Sequence, residues 1–489
     1  MESHAAPMTS STPDTLVRAA IDRSTRWPVL FFFASSGFWL LAAILAGLVA
    51  NLKLIAPTLV DGCYIFDYPR VQAVHLSMLV YGWGFNVAYG AMIWLMARLT
   101  RQEVLGGGTF IVAGKVWNIM LSVGVAAVLL GQGTGVEWLE FPRWVYPVMF
   151  LCHALIASKL LVLFARRSQE HTFISVWYIV AALFAFPWLL LTAWTMIFAA
   201  PGAAVMSTAI NHWYIGGVLF LFFIPVALAS TYYFVPKVTG KPVHSYGMTL
   251  IGFWGLIGLG GWTGMQRLVG GPLPTWMPAV SGTAVIVALI PIFLVFLNHS
   301  KTLEGAEATV GTSPTLRFSY AGIWGLLVFG ALGAVMATLD ITKVAAFTQA
   351  YTGYAYAAVY GCFSMAMFGA IAYITPRLVE CEWPSGKLLR TQFWATAYGA
   401  ITLVVVSVVG GFAQGATVMD FDSKWIVVVN IVKPYATGRC LAFAFLFVAN
   451  LIFIRNLWTM ILRKGRQDGK ATLLHEDSPA CDNASVSSH

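Results

Sequence analysis

The 489-residue chain is 59% hydrophobic and only 10% charged, with a mean hydropathy of +0.76 and a formal net charge of +9. Soluble chains average about 25% charged residues, so this composition excludes a soluble enzyme, a nucleic-acid-binding module and a disordered regulator. What remains is a polytopic membrane protein, in which surplus Lys and Arg mark cytoplasmic loops rather than an acidic partner.

Residues 1–26 are polar and read as a cytoplasmic N-terminal tail. The apolar run that follows is too long for a cleavable signal peptide, so none is expected. Windows of about 20 apolar residues then predict twelve spanning helices: 27–50, 71–97, 108–131, 144–166, 173–199, 205–236, 243–267, 276–298, 317–339, 350–374, 392–413 and 435–462. Interior prolines such as Pro187 and Pro225 are tolerated because neighbouring helices satisfy the freed backbone groups. Residues 27–464 thus form one all-α integral membrane domain, and 465–489 read as a disordered cytoplasmic tail. Counted on twelve spans, the tails and alternate loops hold roughly 18 of the 29 Lys and Arg, which places both termini in the cytoplasm.

Two motif classes are missing. The six cysteines include no Cys-x-x-Cys pair, so no zinc ribbon, iron–sulfur site or covalent c-type heme is expected. Gly131-Gln-Gly-Thr-Gly135 follows a spanning helix rather than a strand and lacks a Lys-Ser/Thr partner, so it is not a phosphate loop.

Ionisable residues inside spans are costly and point to function by default. The candidates are His75, Lys115, His153, Lys159, His212, Arg439 and Arg455. Lys159 and Arg455 lie near helix ends, where they can snorkel to the interface, and His153 reads as a satisfied interior histidine. His75 stands near the outer end of the second span, five residues after Arg70. A neutral imidazole there can ligate heme iron through one nitrogen while the other donates a hydrogen bond. On spacing alone, a lone histidine is more often a buried, hydrogen-bonded one. The 19 Trp, 18 Tyr and 33 Phe equally suit interfacial belts and packing.

Several blocks carry a family resemblance when read in order. They are Arg70 with His75, Trp213-Tyr214, Tyr232-Tyr-Phe-Val-Pro-Lys237, and Pro242-Val-His-Ser-Tyr246 leading to Phe253-Trp254. Then follow Gly369-Ala-Ile-Ala-Tyr-Ile-Thr-Pro-Arg377, Gly411-Phe-Ala-Gln-Gly415, and Pro434-Tyr435 with Arg439. From about residue 27 to 462 the chain resembles the main subunit of the C-family heme–copper oxidases, the cbb-type cytochrome c oxidases. The resemblance implies a twelve-helix bundle in a bacterial-type cytoplasmic membrane, and oxygen reduction at a low-spin heme, a high-spin heme and a copper ion. His75 matches the first low-spin ligand, with Arg70 placed to meet a heme propionate and Arg439 among the cofactor-binding positions. Glu137 and Glu140 match paired acids of an outer loop and mark a candidate cation site.

The remaining ligand positions are replaced. The family's His-x-His pair on helix 10 falls on Tyr354-Ala-Tyr356, and the first copper histidine falls on Gly216. The adjacent copper pair falls on Gln266-Arg267, and the active-site tyrosine on Gly260. Glycine has no ligand atom, and arginine puts a fixed positive charge where a cation would sit. Tyr354 or Tyr356 could still hold iron as a phenolate, as in catalase. The expectation is therefore at most one heme b on His75, no copper, no assignable catalytic residue, and a dinuclear centre that is degraded. The implied role is that of a respiratory-complex subunit, a scaffold or single-heme electron relay, with membrane lipid and a membrane-anchored cytochrome c subunit as partners and no nucleic acid. Two alternatives stay open: an active oxygen or nitric oxide reductase with unorthodox ligands, and a transporter or sensor that reuses the emptied heme cavity. Heme and copper content separates the three.

Overall fold

The computed structural model describes residues 13–59, 62–202 and 204–466. Long apolar helices account for nearly all of them, because in hydrocarbon every backbone N–H and C=O must be satisfied within its own segment. In chain order they are α1 (Pro13–Ile55), α2 (Tyr68–Thr100), α3 (Gly107–Leu129), α4 (Val145–Ala165), α5 (Ile174–Ala199) and α6 (Ala204–Thr239), then α7 (Tyr246–Gly260) and α8 (Trp276–Leu303). The last four are α9 (Pro314–Met336), α10 (Gln349–Val379), α11 (Gly386–Val418) and α12 (Trp425–Ile461).

Eleven of these are long and apolar enough to cross a membrane. The exception is α7, where a full span over 243–267 is expected from the sequence. It has 15 residues, about 22 Å at 1.5 Å per residue, short of the roughly 30 Å hydrocarbon core. Ser245 caps its start by accepting from the Met248 N–H. At its other end the chain turns at Gly264, whose φ of +108° and missing Cβ let its backbone lie directly against the His212 carbonyl of α6.

The first span is longer than expected. α1 runs 43 residues, about 64 Å, so the described part of the predicted N-terminal tail, Pro13–Arg26, is helix continuous with the span. The rest of that tail, and all but the first two residues of the predicted tail 465–489, lie outside the described residues.

Sequential helices pack on one another, with α12 closing against both α11 and α1. Three helices form the centre. In α2 and α6, 94% of the apolar window is buried, and in α10 89%, against 28–56% elsewhere. Each of these three contains a π-helical stretch, Met78–Gly84, Val218–Phe223 and Ala357–Ser364. Such stretches are rare and tend to occur at functional sites. Pro225, which has no N–H to give, follows one of them directly.

Candidate functional site

His75 on α2 is fully buried among α1, α10 and α12. Its Nδ1 lies 2.7 Å from the Ala43 carbonyl and its Nε2 lies 2.9 Å from the Tyr356 hydroxyl. A carbonyl can only accept, so Nδ1 carries the proton and Nε2 accepts from Tyr356. The carbonyl-anchored imidazole has the tautomer of a metal ligand, yet its lone pair is already engaged. Metal–nitrogen bonds of about 2 Å would set two ligands on opposite sides of a metal about 4 Å apart. His75 and Tyr356, in direct hydrogen bond, do not fit an iron between them.

The surrounding packing holds the pair closed. Phe443 of α12 meets the His75 ring edge-on at 5.2 Å and the Tyr356 ring at 6.3 Å. On α1, Gly47 approaches so closely that a Cβ there would lie 2.8 Å from the imidazole. Arg439 donates from Nε to Asn51 Oδ1 at 2.6 Å, while its two buried Nη atoms have no hydrogen-bond partner among the described residues. Arg70 is turned to the end of α3, donating to the Leu129 carbonyl at 3.0 Å and lying over Tyr64.

A second cluster gathers the other substituted positions except Gly260. Tyr354, Gly216, Gln266 and Arg267 line one cavity of about 30 Å³ together with His212 and Glu137. That is room for about one water. Gly216 has no side chain, and the turn at Thr263–Gly264 sits against its Cα: a Cβ there would lie 2.7 Å from Thr263 backbone atoms. Gln266 Oε1 accepts from the Gly264 N–H at 2.7 Å and the Ser281 hydroxyl at 2.8 Å. Arg267 pairs with Glu137 at 3.4 Å and lies over the Tyr351 ring. Tyr354 stacks on Phe329 at 4.5 Å. Gly260 faces Leu221 and Phe220 of α6.

The two acids of the loop between α3 and α4 have different partners. Glu137 faces Arg267, whereas Glu140 is buried and accepts from the Ser77 hydroxyl at 2.7 Å and the Trp138 N–H at 2.9 Å. Burial pushes the Glu140 carboxyl up to about 7, against the opposing pull of these hydrogen bonds. The loop is tied down further, since the Tyr81 hydroxyl donates to the Trp138 carbonyl at 2.6 Å and accepts from Tyr214 at 2.7 Å. Among the described residues, no group of three or more His, Cys, Asp or Glu could hold a metal ion. His153 is satisfied as expected, between the Tyr89 hydroxyl and the Leu183 carbonyl.

Sequence reasoning missed Gly47, Asn51 and Phe443, which shape the His75 pocket, and Tyr81, Tyr214 and Tyr351. Gly47 and Asn51 are four apart on one helix face, the spacing at which an Asn side chain bonds back to a carbonyl, here at 2.8 Å. The aromatic residues carried no signal separable from ordinary core.

Residues 28–448 match the family described as Cytochrome C and Quinol oxidase polypeptide I. The chain belongs to the heme–copper oxidase subunit I family. A cytochrome c oxidase subunit 1 homolog from Agrobacterium tumefaciens is 25% identical over 457 residues, covering 88% of this chain and 83% of the relative. The cbb3-type cytochrome c oxidase subunit CcoN1 of Stutzerimonas stutzeri is 23% identical over 419 residues, covering 81% and 87%. Among solved structures, a heme–copper terminal oxidase dimer matches with a TM-score of 0.71 at 14% identity, covering 98% of this chain and 90% of the other. The fold is that of a heme–copper oxidase, and the family implies heme cofactors and membrane complexes.

Proposed function

We propose that this subunit I homologue is a structural subunit of a respiratory electron-transfer complex, keeping the bundle and its outer surfaces while its cofactor sites have closed. The observation that carries this reading is the His75–Tyr356 hydrogen bond, which joins the two side chains that would otherwise face each other across a low-spin heme. The second site supports it, because backbone rather than ligand atoms fill the space beside Gly216. The family resemblance gives a membrane-anchored cytochrome c subunit as its partner. The test is purification of the tagged chain from native membranes under mild detergent. A co-purifying subunit that stains for covalent heme supports the reading. A chain that purifies without partners and consumes oxygen overturns it.

A single-heme relay is the second reading, and one observation favours it: the two unpartnered Nη atoms of buried Arg439. A buried guanidinium suits a carboxylate such as a propionate. Heme content distinguishes the two readings.

A further inference from the structure

At the end of the bundle that carries the start of α1, a pocket of about 450 Å³ opens between the first turns of α1 and the ends of α2, α5, α6 and α7. We propose that it binds the phosphate of an anionic phospholipid, with the acyl chains leaving along its apolar wall.

Charge is the first argument. Arg18, Arg98, Arg101 and Lys237 converge on this pocket. Asp14 pairs with both Arg18 and Arg101, and Asp22 with Arg98 at 3.3 Å. Lys237 has no carboxylate within ion-pair distance among the described residues; Arg18, Arg98 and Arg377 all act on it unfavourably, and Asp14 favourably from farther off. Four cations thus share two carboxylates, and like charges gathered in this way are eased by a bound anion. A phosphodiester offers acceptor oxygens to several Arg and Lys donors at once.

Depth and shape are the second argument. Arg98 and Arg101 close α2, Phe173 precedes α5, Lys237 is in the last turn of α6, and Tyr246 opens α7. The pocket therefore lies where spans meet water, at the level of lipid headgroups, with Tyr232, Tyr233 and Tyr246 in its lining as amphipathic anchors. Its remaining wall includes Ile21, Leu99, Phe173 and Val243. Bare inorganic phosphate would have no use for that apolar wall, whereas glycerol and the first methylenes of a lipid would. The volume falls within the roughly 300–1,000 Å³ of small-molecule sites, enough for a headgroup but not for whole chains.

The test uses the full-length protein in phosphatidylcholine nanodiscs doped with phosphatidylglycerol, with retained lipid counted by native mass spectrometry. Wild type should retain phosphatidylglycerol in preference to phosphatidylcholine. The double variant Arg18→Gln/Lys237→Gln should weaken that retention by about tenfold or more. The double variant Lys387→Gln/Arg390→Gln removes the same charge from exposed positions at the start of α11, at the same end of the bundle, and should leave retention unchanged. Equal losses in both double variants would show general surface attraction and overturn the proposal. Displacement of phosphatidylglycerol by inorganic phosphate would assign the site to free phosphate and overturn it equally. If the first double variant does not fold, Lys237→Met alone is the substitute, and retention identical to wild type in a folded Lys237→Met protein counts against the site.

Discussion

At the scale of single residues, Tyr356 has a defined job. Its hydroxyl satisfies the one acceptor on His75 that the Ala43 carbonyl cannot. Tyr356→Phe keeps the ring and its contact with Phe443 but leaves Nε2 buried without a donor. A buried polar atom left unsatisfied costs about 1–3 kcal/mol, so the variant should melt at a lower temperature in detergent while still inserting normally. In the double variant with His75→Ala, the loss of the hydroxyl should cost much less, since its acceptor has gone. Additive losses would show that the hydrogen bond contributes nothing. The partnership was half legible in the sequence. The resemblance placed His75 and Tyr356 at facing positions, but 281 residues separate them, and no local pattern reports that two side chains touch rather than flank a third group.

At the scale of elements, the loop between α3 and α4 carries a pH-sensitive group. The folded state holds the Glu140 carboxyl at about 7, against an ordinary value of 4.5. Between those values this carboxyl binds a proton in the folded state that it has lost in the unfolded chain, so its contribution to stability falls as pH rises from 4.5 to about 7 and levels off above. A displacement of that size corresponds to roughly 3 kcal/mol. Glu140→Gln keeps one acceptor oxygen, for the Trp138 N–H, and turns its amide N–H toward the Ser77 hydroxyl; its melting temperature should gain on that of wild type as pH rises from 4.5 to about 7. A wild-type profile no steeper than that of Glu140→Gln would contradict the assignment. The sequence offered Glu137 and Glu140 as a pair of acids. Their separation into an ion pair and a buried carboxyl depends on Arg267 and Ser77, which come from distant helices. The shortening of α7 was hidden for a related reason. Composition over 243–267 stays apolar, while the stop is set by Gly264 lying against α6.

At the scale of the whole molecule, the spans were the most legible feature, because burying backbone in hydrocarbon forces long apolar runs that any window detects. Which helices are central was not legible that way, since α2, α6 and α10 are no more apolar than the rest. The proposed structural role requires that the bundle, of the heme–copper oxidase fold, hold no iron between His75 and Tyr356, which hydrogen-bond directly. The most direct test is the heme and copper content of the purified full-length chain, by pyridine hemochrome assay and elemental analysis. Neither heme b nor copper is expected at stoichiometric levels. About one heme b per chain, lost on His75→Ala, would contradict the closed His75–Tyr356 site, and about one copper per chain would contradict the reading of Gly216, Gln266 and Arg267.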